Sequence, residues 1–311
     1  MPGTINALPN FSGELYTADK VNTPILTAIG GISAGGLITA NKEFATASQY
    51  QFPGAAQPQI SEDASVAAPA STLAIRNQIA NVTQIHQRAI RLTYEKLANS
   101  GRLQGLNTAG QSNSVSDELA FQIDYNLKAI ARDIEFSILN GTYNLSAQSD
   151  EADTTRGLIA ATLLAGSTRI NAAGVALSKA LIDQLLLDMH NNGAPMENLV
   201  FIVSGTIKQQ LSAIYGFAPT DRNVGGVNIK QIETDFGEVG IMPAHRFMPA
   251  TGLLAADMSV VKPVFQPVPG KGIMFYEPLA KTGASEQGQL FGKFGLDHGP
   301  AFAHGYIENL V

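Results

Sequence analysis

Between Ile75 and Gly141 the chain carries two long elements that do not belong together in a compact enzyme core. Residues Ile75 to Thr93, IRNQIANVTQIHQRAIRLT, favour a strand yet are polar on both sides, with neither Gly nor Pro. After them, Ser116 to Asn140 reads as one uninterrupted helix of about 25 residues, roughly 37 Å at 1.5 Å per residue. An extended ribbon beside a helix of that length implies a chain that reaches for neighbours.

Composition points the same way. Only 15% of the 311 residues are charged, against about 25% in a typical soluble domain. A monomer needs a solvated, charged surface, so low charge with abundant Ala, Asn, Gln, Thr and Gly implies a surface covered by partners. The net charge of −6 excludes a basic nucleic-acid grip, since no block of Lys and Arg is present to displace counterions. The absence of cysteine excludes disulfides, thiolate metal sites and a Cys nucleophile. The first 20 residues hold Glu14 and Asp19 and lack a signal-type apolar stretch. The segment Pro24 to Ala40 is apolar but holds four Gly and one Pro and is too short to span a bilayer. The expectation is a soluble protein made in a cytoplasm, with no membrane contact.

Residues 1 to 45 read as an arm with scattered apolar anchors, Leu8, Phe11, Leu15 and Tyr16. Residues 46 to 95 read as a long hairpin with a small-residue tip, too polar to be stable without a surface to lie on. In the helix that follows, Ser114 and Asp117 have capping-box spacing and Asn140-Gly141 gives a stop. Leu119, Ile123, Leu127, Ile130, Ile134 and Ile138 form one apolar stripe, with Asp124 and Lys128 paired on the polar side. Phe121, Tyr125 and Phe136 lie off the stripe, so the helix is expected to be covered on more than one side. Residues 177 to 216 read helix, strand, helix, with Ser178 and Ser204 as caps around a buried-type strand from Asn198 to Val203. Beyond Val227 the text is strand-rich, with runs at 227–233, 238–243, 259–267, 272–277, 287–295 and 301–309.

Chemical motifs are weak. Gly31-Ile-Ser33-Ala-Gly35 spells a nucleophile elbow, which would make Ser33 the nucleophile of a serine hydrolase. It lacks the preceding strands and following helix that the elbow requires, so a Gly-rich arm segment is the better reading. Ser204-Gly205-Thr206 could hold an anion at a helix start, but a plain cap accounts for it. His86, His190, His245, His298 and His304 have no metal-ligand spacing and read as surface or turn-associated residues. Glu62 and Asp63 sit adjacent at the hairpin tip, a poor geometry for acid–base work. No catalytic, cofactor-binding or metal residue is assigned.

The order of arm, hairpin, long helix, small α/β unit and strand-rich return resembles the major capsid protein of tailed bacteriophages, the Hong Kong 97-type (Johnson) fold. This is an α+β class, and the local text is most similar to its SU-ten-like branch. The resemblance is carried by Thr23-Pro-Ile-Leu-Thr-Ala-Ile-Gly30, Asn81-Val-Thr-Gln-Ile85, Ala131-Arg-Asp-Ile-Glu135 with Leu139-Asn-Gly141, Arg156-Gly-Leu158, Glu277-Pro-Leu-Ala-Lys-Thr-Gly283 and Gly305-Tyr-Ile-Glu-Asn-Leu310. It implies an N-arm (1–45), an E-loop (46–95), a P-domain with spine helix 116–140 (96–165), an A-domain (166–262) and returning P-domain strands (263–311). It further implies pentamers and hexamers of this chain tiling an icosahedral shell around double-stranded DNA held without sequence-specific contact. Separate scaffolding, portal and decoration proteins are the other implied partners, and the virion, assembled in a host bacterial cytoplasm, is the implied location. An encapsulin-type nanocompartment shell shares the fold and is the alternative.

Two departures from the archetype bear on assembly. The archetype joins a hairpin lysine to an asparagine of a neighbour, but no lysine lies between Lys42 and Lys96, so a shell without that link is expected. The archetype's long N-terminal scaffolding segment also has no counterpart before this arm, so any scaffold is expected to be a separate protein.

Overall fold

The computed structural model describes residues 23–31, 36–51, 55–68, 71, 73–98, 118–215, 220–224, 227–244 and 247–311. Leu8, Phe11, Leu15, Tyr16, Ser33, Ser114, Asp117 and His245 lie outside them. The described chain is organised as a two-stranded ribbon and two mixed sheets, with one long helix lying where the sheets meet.

The chain enters through a one-turn helix, α1 (Pro24–Ala28), and a short strand, β1 (Leu37–Ile38). The ribbon follows: β2 (Glu43–Gln51) pairs antiparallel with β3 (Ile75–Val82), and α2 (Glu62–Ser65) is a single turn between them. The polar run from Ile75 does not continue as one strand to Thr93. It breaks at Thr83, whose N–H bonds Lys42 O at 2.8 Å, and resumes as β4 (Gln84–Thr93), which leaves the ribbon for another sheet. A short helix, α3 (Tyr94–Ala98), ends this stretch, and the long helix α4 covers Glu118–Asn140.

After α4 come a one-turn helix α5 (Leu158–Ala161), β5 (Thr168–Asn171), α6 (Lys179–Asn191), β6 (Leu199–Val203) and α7 (Gly205–Tyr215). Ser178 and Ser204 accept the N–H groups of Leu181 and Ile207 and so cap α6 and α7, as their spacing predicts. The remaining strands are β7 (Thr220–Val224), β8 (Val227–Thr234), β9 (Gly237–Pro243), β10 (Leu253–Asp257), β11 (Lys262–Phe265), β12 (Met274–Pro278), β13 (Ser285–Asp297) and β14 (His304–Glu308). Sequence periodicity does not reveal β10. Its text, Leu-Leu-Ala-Ala-Asp, is short and alanine-containing, and alanine has little intrinsic strand preference.

The first sheet runs β1-β11-β13-β12, with β4 on the other side of β13 from β12; the second runs β5-β14-β10-β6-β9-β8-β7. Along β14, β10 and β6 of the second sheet both faces are buried, and alternation decides which layer each side chain joins. Val200, Ile202, Leu254, Ala256 and Tyr306 face the layer of α1, α4 and α5. Phe201, Val203, Leu253, Ala255 and Ile307 face α6 and α7. A strand buried on both faces reads as a continuous apolar run, which is why Leu199–Val203 announces itself in the sequence.

The spine α4 ties the sheets together. Ile130, Ile134 and Ile138 of its stripe are buried, and Leu119, Ile123 and Leu127 pack against the same cluster. Its end is fixed by two glycines in close approach. Gly157 N–H bonds Gly141 O at 2.8 Å, and a Cβ on Gly141 would lie 2.4 Å from Thr155 O. Asn140-Gly141 and Arg156-Gly157 are therefore one packed junction.

Candidate assembly surfaces

The ribbon leaves the body gradually and then completely. Along β3, Asn81 and Val82 are buried, Ile79 and Ala80 half-buried, and Ile75 to Gln78 exposed. Beyond that point the ribbon displays large apolar side chains: Leu73 is 90% exposed, Val66 87% and Ile75 77%, with Ile60 and Tyr50 also exposed. Apolar groups concentrated on an extension without a core behind it mark a surface meant for another molecule. The departure coincides with a β-bulge, where Ala47 and Ser48 intervene between the pairs Thr46–Ile79 and Gln49–Asn77. Ala47 has φ 51°, in the left-handed region, and a bulge of this kind bends its strand.

Just inside the bulge the ribbon is bolted to the body by polar contacts. Asn81, fully buried, uses every valence of its amide. Nδ2 donates to Leu296 O (2.7 Å) and Arg156 O (3.2 Å), while Oδ1 accepts from Arg156 N–H (2.7 Å) and Val82 N–H (3.0 Å). Thr46 Oγ1 donates to Asp297 at 2.5 Å, and Gln84 bridges Thr155 N–H and Ser137 Oγ. Lys42 Nζ sits 3.3 Å from Asp153. Burial pulls the Asp153 carboxyl upward, but the Ser146 N–H and hydroxyl and Lys42 outweigh it and hold it below its usual range. Lys42 thus belongs to the base of the hairpin, not to its reaching part.

On the spine, Phe121 and Tyr125 are exposed one turn apart, and Phe136 stacks edge-on against Phe247 with centroids 6.3 Å apart. These are the aromatics that lie off the apolar stripe, and in the single chain no layer covers them fully. One spine residue has a role that the sequence motif containing it does not reveal. Glu135 is fully buried and holds the entering arm: Oε1 accepts the Ile25 N–H at 3.0 Å and Oε2 the Leu26 N–H at 2.7 Å. Its signal was there, because it lies four residues from both Ala131 and Leu139, on the flank of the apolar stripe.

The residues weighed for chemistry are not brought together. Ser33 lies outside the described residues. Glu62 and Asp63 are exposed in α2, under the Ser61 cap. Of the histidines expected at the surface or in turns, His190 is exposed and His298 and His304 flank a turn but are buried, while His86 is buried within β4. His298 Nδ1 meets Gly299 O at 2.8 Å and His304 Nε2 meets His298 O at 2.5 Å, so backbone contacts accommodate them in the turn between β13 and β14. Burial lowers His86 and His298 to about 4 and lowers His304 as well. Among the described residues no group of three His, Asp or Glu is placed to hold a metal ion, and no helix is long and apolar enough to cross a membrane.

A chain of this architecture shares its fold with capsid proteins. The capsid asymmetric unit of cyanophage A-1(L) matches with a TM-score of 0.65 and 14% identity, over 99% of this chain and 98% of that one. The capsid of cyanophage P-SCSP1u matches at 0.57 and 10%, over 97% and 93%. The holo-SrpI encapsulin complex of Synechococcus elongatus PCC 7942 matches at 0.57 and 12%, over 96% and 92%. No curated protein matches the chain in sequence. The fold class is therefore the Hong Kong 97-type capsid fold. Within it, the family described as SU10 major capsid protein matches residues 2–311, and the chain belongs to that family. It is a shell-forming structural protein of the virion capsid and not an enzyme.

Proposed function

We propose that copies of this chain form pentamers and hexamers that close an icosahedral shell around double-stranded DNA, each laying its hairpin on the next copy. The observation that carries this reading is the ribbon, whose Ile60, Val66, Leu73 and Ile75 are exposed among the described residues. Small identical interfaces repeated by symmetry then sum to a stable shell. The arm (1–45), the P-domain (96–165 with 263–311) and the A-domain (166–262) complete the subunit. We place the inner limit of the reaching hairpin at Thr83, because β4 pairs with β13 in the first sheet. The acidic balance suits packaged DNA, which must move along the wall without being gripped. Scaffolding, portal and decoration proteins are the expected further partners, and assembly in the cytoplasm of the host bacterium is the expected setting.

The test is electron microscopy and sedimentation of the expressed protein beside a Leu73→Asp/Ile75→Asp variant. Wild-type shells and a variant arrested as monomers or capsomers are the expected result. Unimpaired shells from the variant would sink the hairpin's role. Particles filled with a cargo protein, found in place of DNA in the native source, would turn the reading to a nanocompartment. Wild-type particles are expected to run as a single unlinked band on denaturing gels, since the hairpin between Lys42 and Lys96 offers no amine.

A further inference from the structure

The ribbon is almost free of charge. From Phe44 to Val82 its charged residues are Glu62, Asp63 and Arg76. The two carboxylates lie side by side in α2, with the exposed Ile60 and Val66 before and after them. Arg76 lies on β3 directly across from Tyr50 of β2, one ladder pair in from the Gln51–Ile75 end. Directly opposed residues share a face, so the guanidinium and the phenol ring stand on one side of the ribbon. Beside the bulge, both line an open concavity together with Ser48 and Gln78.

All three charges are exposed, and their own copy leaves them unanswered. Among the described residues Glu62, Asp63 and Arg76 have no ion pair and no side-chain hydrogen bond. The body behaves differently: Lys42, Lys96, Lys128, Lys271 and Lys281 are paired with Asp153, Glu118, Asp124, Glu277 and Glu286. Of the lysines with described side chains, Lys179 and Lys262 are left exposed and unpaired. An ammonium is a point charge, whereas a planar guanidinium matches both oxygens of a carboxylate at once, so Arg76 is the better acceptor for the acidic tip.

We propose that the concavity at Arg76 and Tyr50 receives the ribbon tip of a second copy, with Glu62 and Asp63 meeting the guanidinium. The inference rests on the shell reading and names the place where one hairpin meets the next. Tip and acceptor are different parts of one ribbon, so the contact is head to tail, the kind that closes into rings when the rotation allows. An exposed ion pair adds little strength by itself. Ile60 and Val66 supply burial against the Tyr50 ring, while the charges fix the register and reject a misplaced tip.

Charge reversal in the full-length chain, followed by sedimentation and electron microscopy, tests this. Arg76→Glu, or Glu62→Lys with Asp63→Lys, should each lower the yield of closed shells by about tenfold or more, and all the reversals together should restore it. Arg76→Lys keeps the charge, so its shells should form, and it adds an amine for zero-length carbodiimide coupling. Denaturing gels should then show covalent multimers that are absent from coupled wild type. Mass spectrometry of mixed heavy- and light-labelled copies should find residue 76 of one chain joined to Glu62 or Asp63 of another. Full shell yield from Arg76→Glu, no recovery in the combined reversal, or coupling of Glu62 or Asp63 to Lys179 or Lys262 instead would overturn the contact. In those cases the hairpin reading still stands if Leu73→Asp/Ile75→Asp arrests assembly, whereas wild-type chains that form no shells would sink that reading itself.

Discussion

The second sheet and the ribbon are built from similar strands but spend them differently. β6 and β10 are buried at every position, because α4 covers one face and α6 and α7 the other. β3 begins with four exposed residues and is buried only at its last two. β6 and β10 are also paired along both edges, whereas β2 and β3 pair along one edge only among the described residues, with each other. The difference lies in whether side chains and strand edges have found partners within one copy. What the sheet completes by folding, the ribbon leaves for association, and stability and assembly should therefore respond to different substitutions.

The largest effect on folding is expected at the spine. Ile134→Ala removes a fully buried side chain where the two sheets meet and should cost about 2–5 kcal/mol, read by denaturant unfolding of the unassembled subunit. If Leu73→Asp/Ile75→Asp lowered the unfolding midpoint as far, the ribbon would be part of the fold and the contrast would fail. Asn81→Ala addresses the boundary between the regions. It leaves Leu296 O and Arg156 N–H without partners beside the ribbon base, and should cost about 1–3 kcal/mol. Its distinctive readout is exchange of β2 and β3, which should speed up more than that of β6.

Acid should weaken the folded body through its buried histidines. His86 and His298 are lowered by burial from 6.5 to about 4, so the unfolded chain binds more protons between those limits. Their contribution to stability is complete above pH 6.5 and is lost as pH falls toward 4. Between pH 6.5 and 5 the midpoint of thermal unfolding of the unassembled subunit should decline. A midpoint that stays constant over this range would mean that His86 and His298 keep their charge inside the fold.

Much of this organisation is legible in the residues. Period decides α4, because Leu119 to Ile138 repeats at helical spacing, and serine caps set the starts of α6 and α7. What stays hidden is partner choice. Nothing in Gln-Ile-Ala-Asn-Val-Thr-Gln-Ile reveals that the chain changes partner at Thr83, since that depends on Leu296 and Lys42, far away in sequence. Glu135 hides for the same reason. A carboxylate on a helix is ordinarily solvated, and only the returning arm, more than a hundred residues earlier, buries it. The three buried histidines likewise read as polar text, although His86 is buried beside Phe294 of β13 and His298 and His304 are buried about the turn that follows it.

The smallest effect is expected at the bulge itself, where two terms oppose each other. Ala47 at φ 51° carries a left-handed strain of roughly 1–2 kcal/mol, which Ala47→Gly would relieve. Glycine also widens the unfolded ensemble, at a cost of roughly 0.5–1 kcal/mol. The net change in subunit stability should therefore lie between zero and a gain of about 1.5 kcal/mol, a small upward shift in thermal unfolding. The hinge should respond nevertheless, because a strained alanine restricts the angle at which the ribbon leaves Thr46 and glycine does not. Exchange in Gln49–Gln51 and Ile75–Gln78 should rise in Ala47→Gly while that at Asn81 stays unchanged. Equal acceleration on both sides of the bulge would place the flexing point at the polar base instead, and the ribbon would then begin at Asn81.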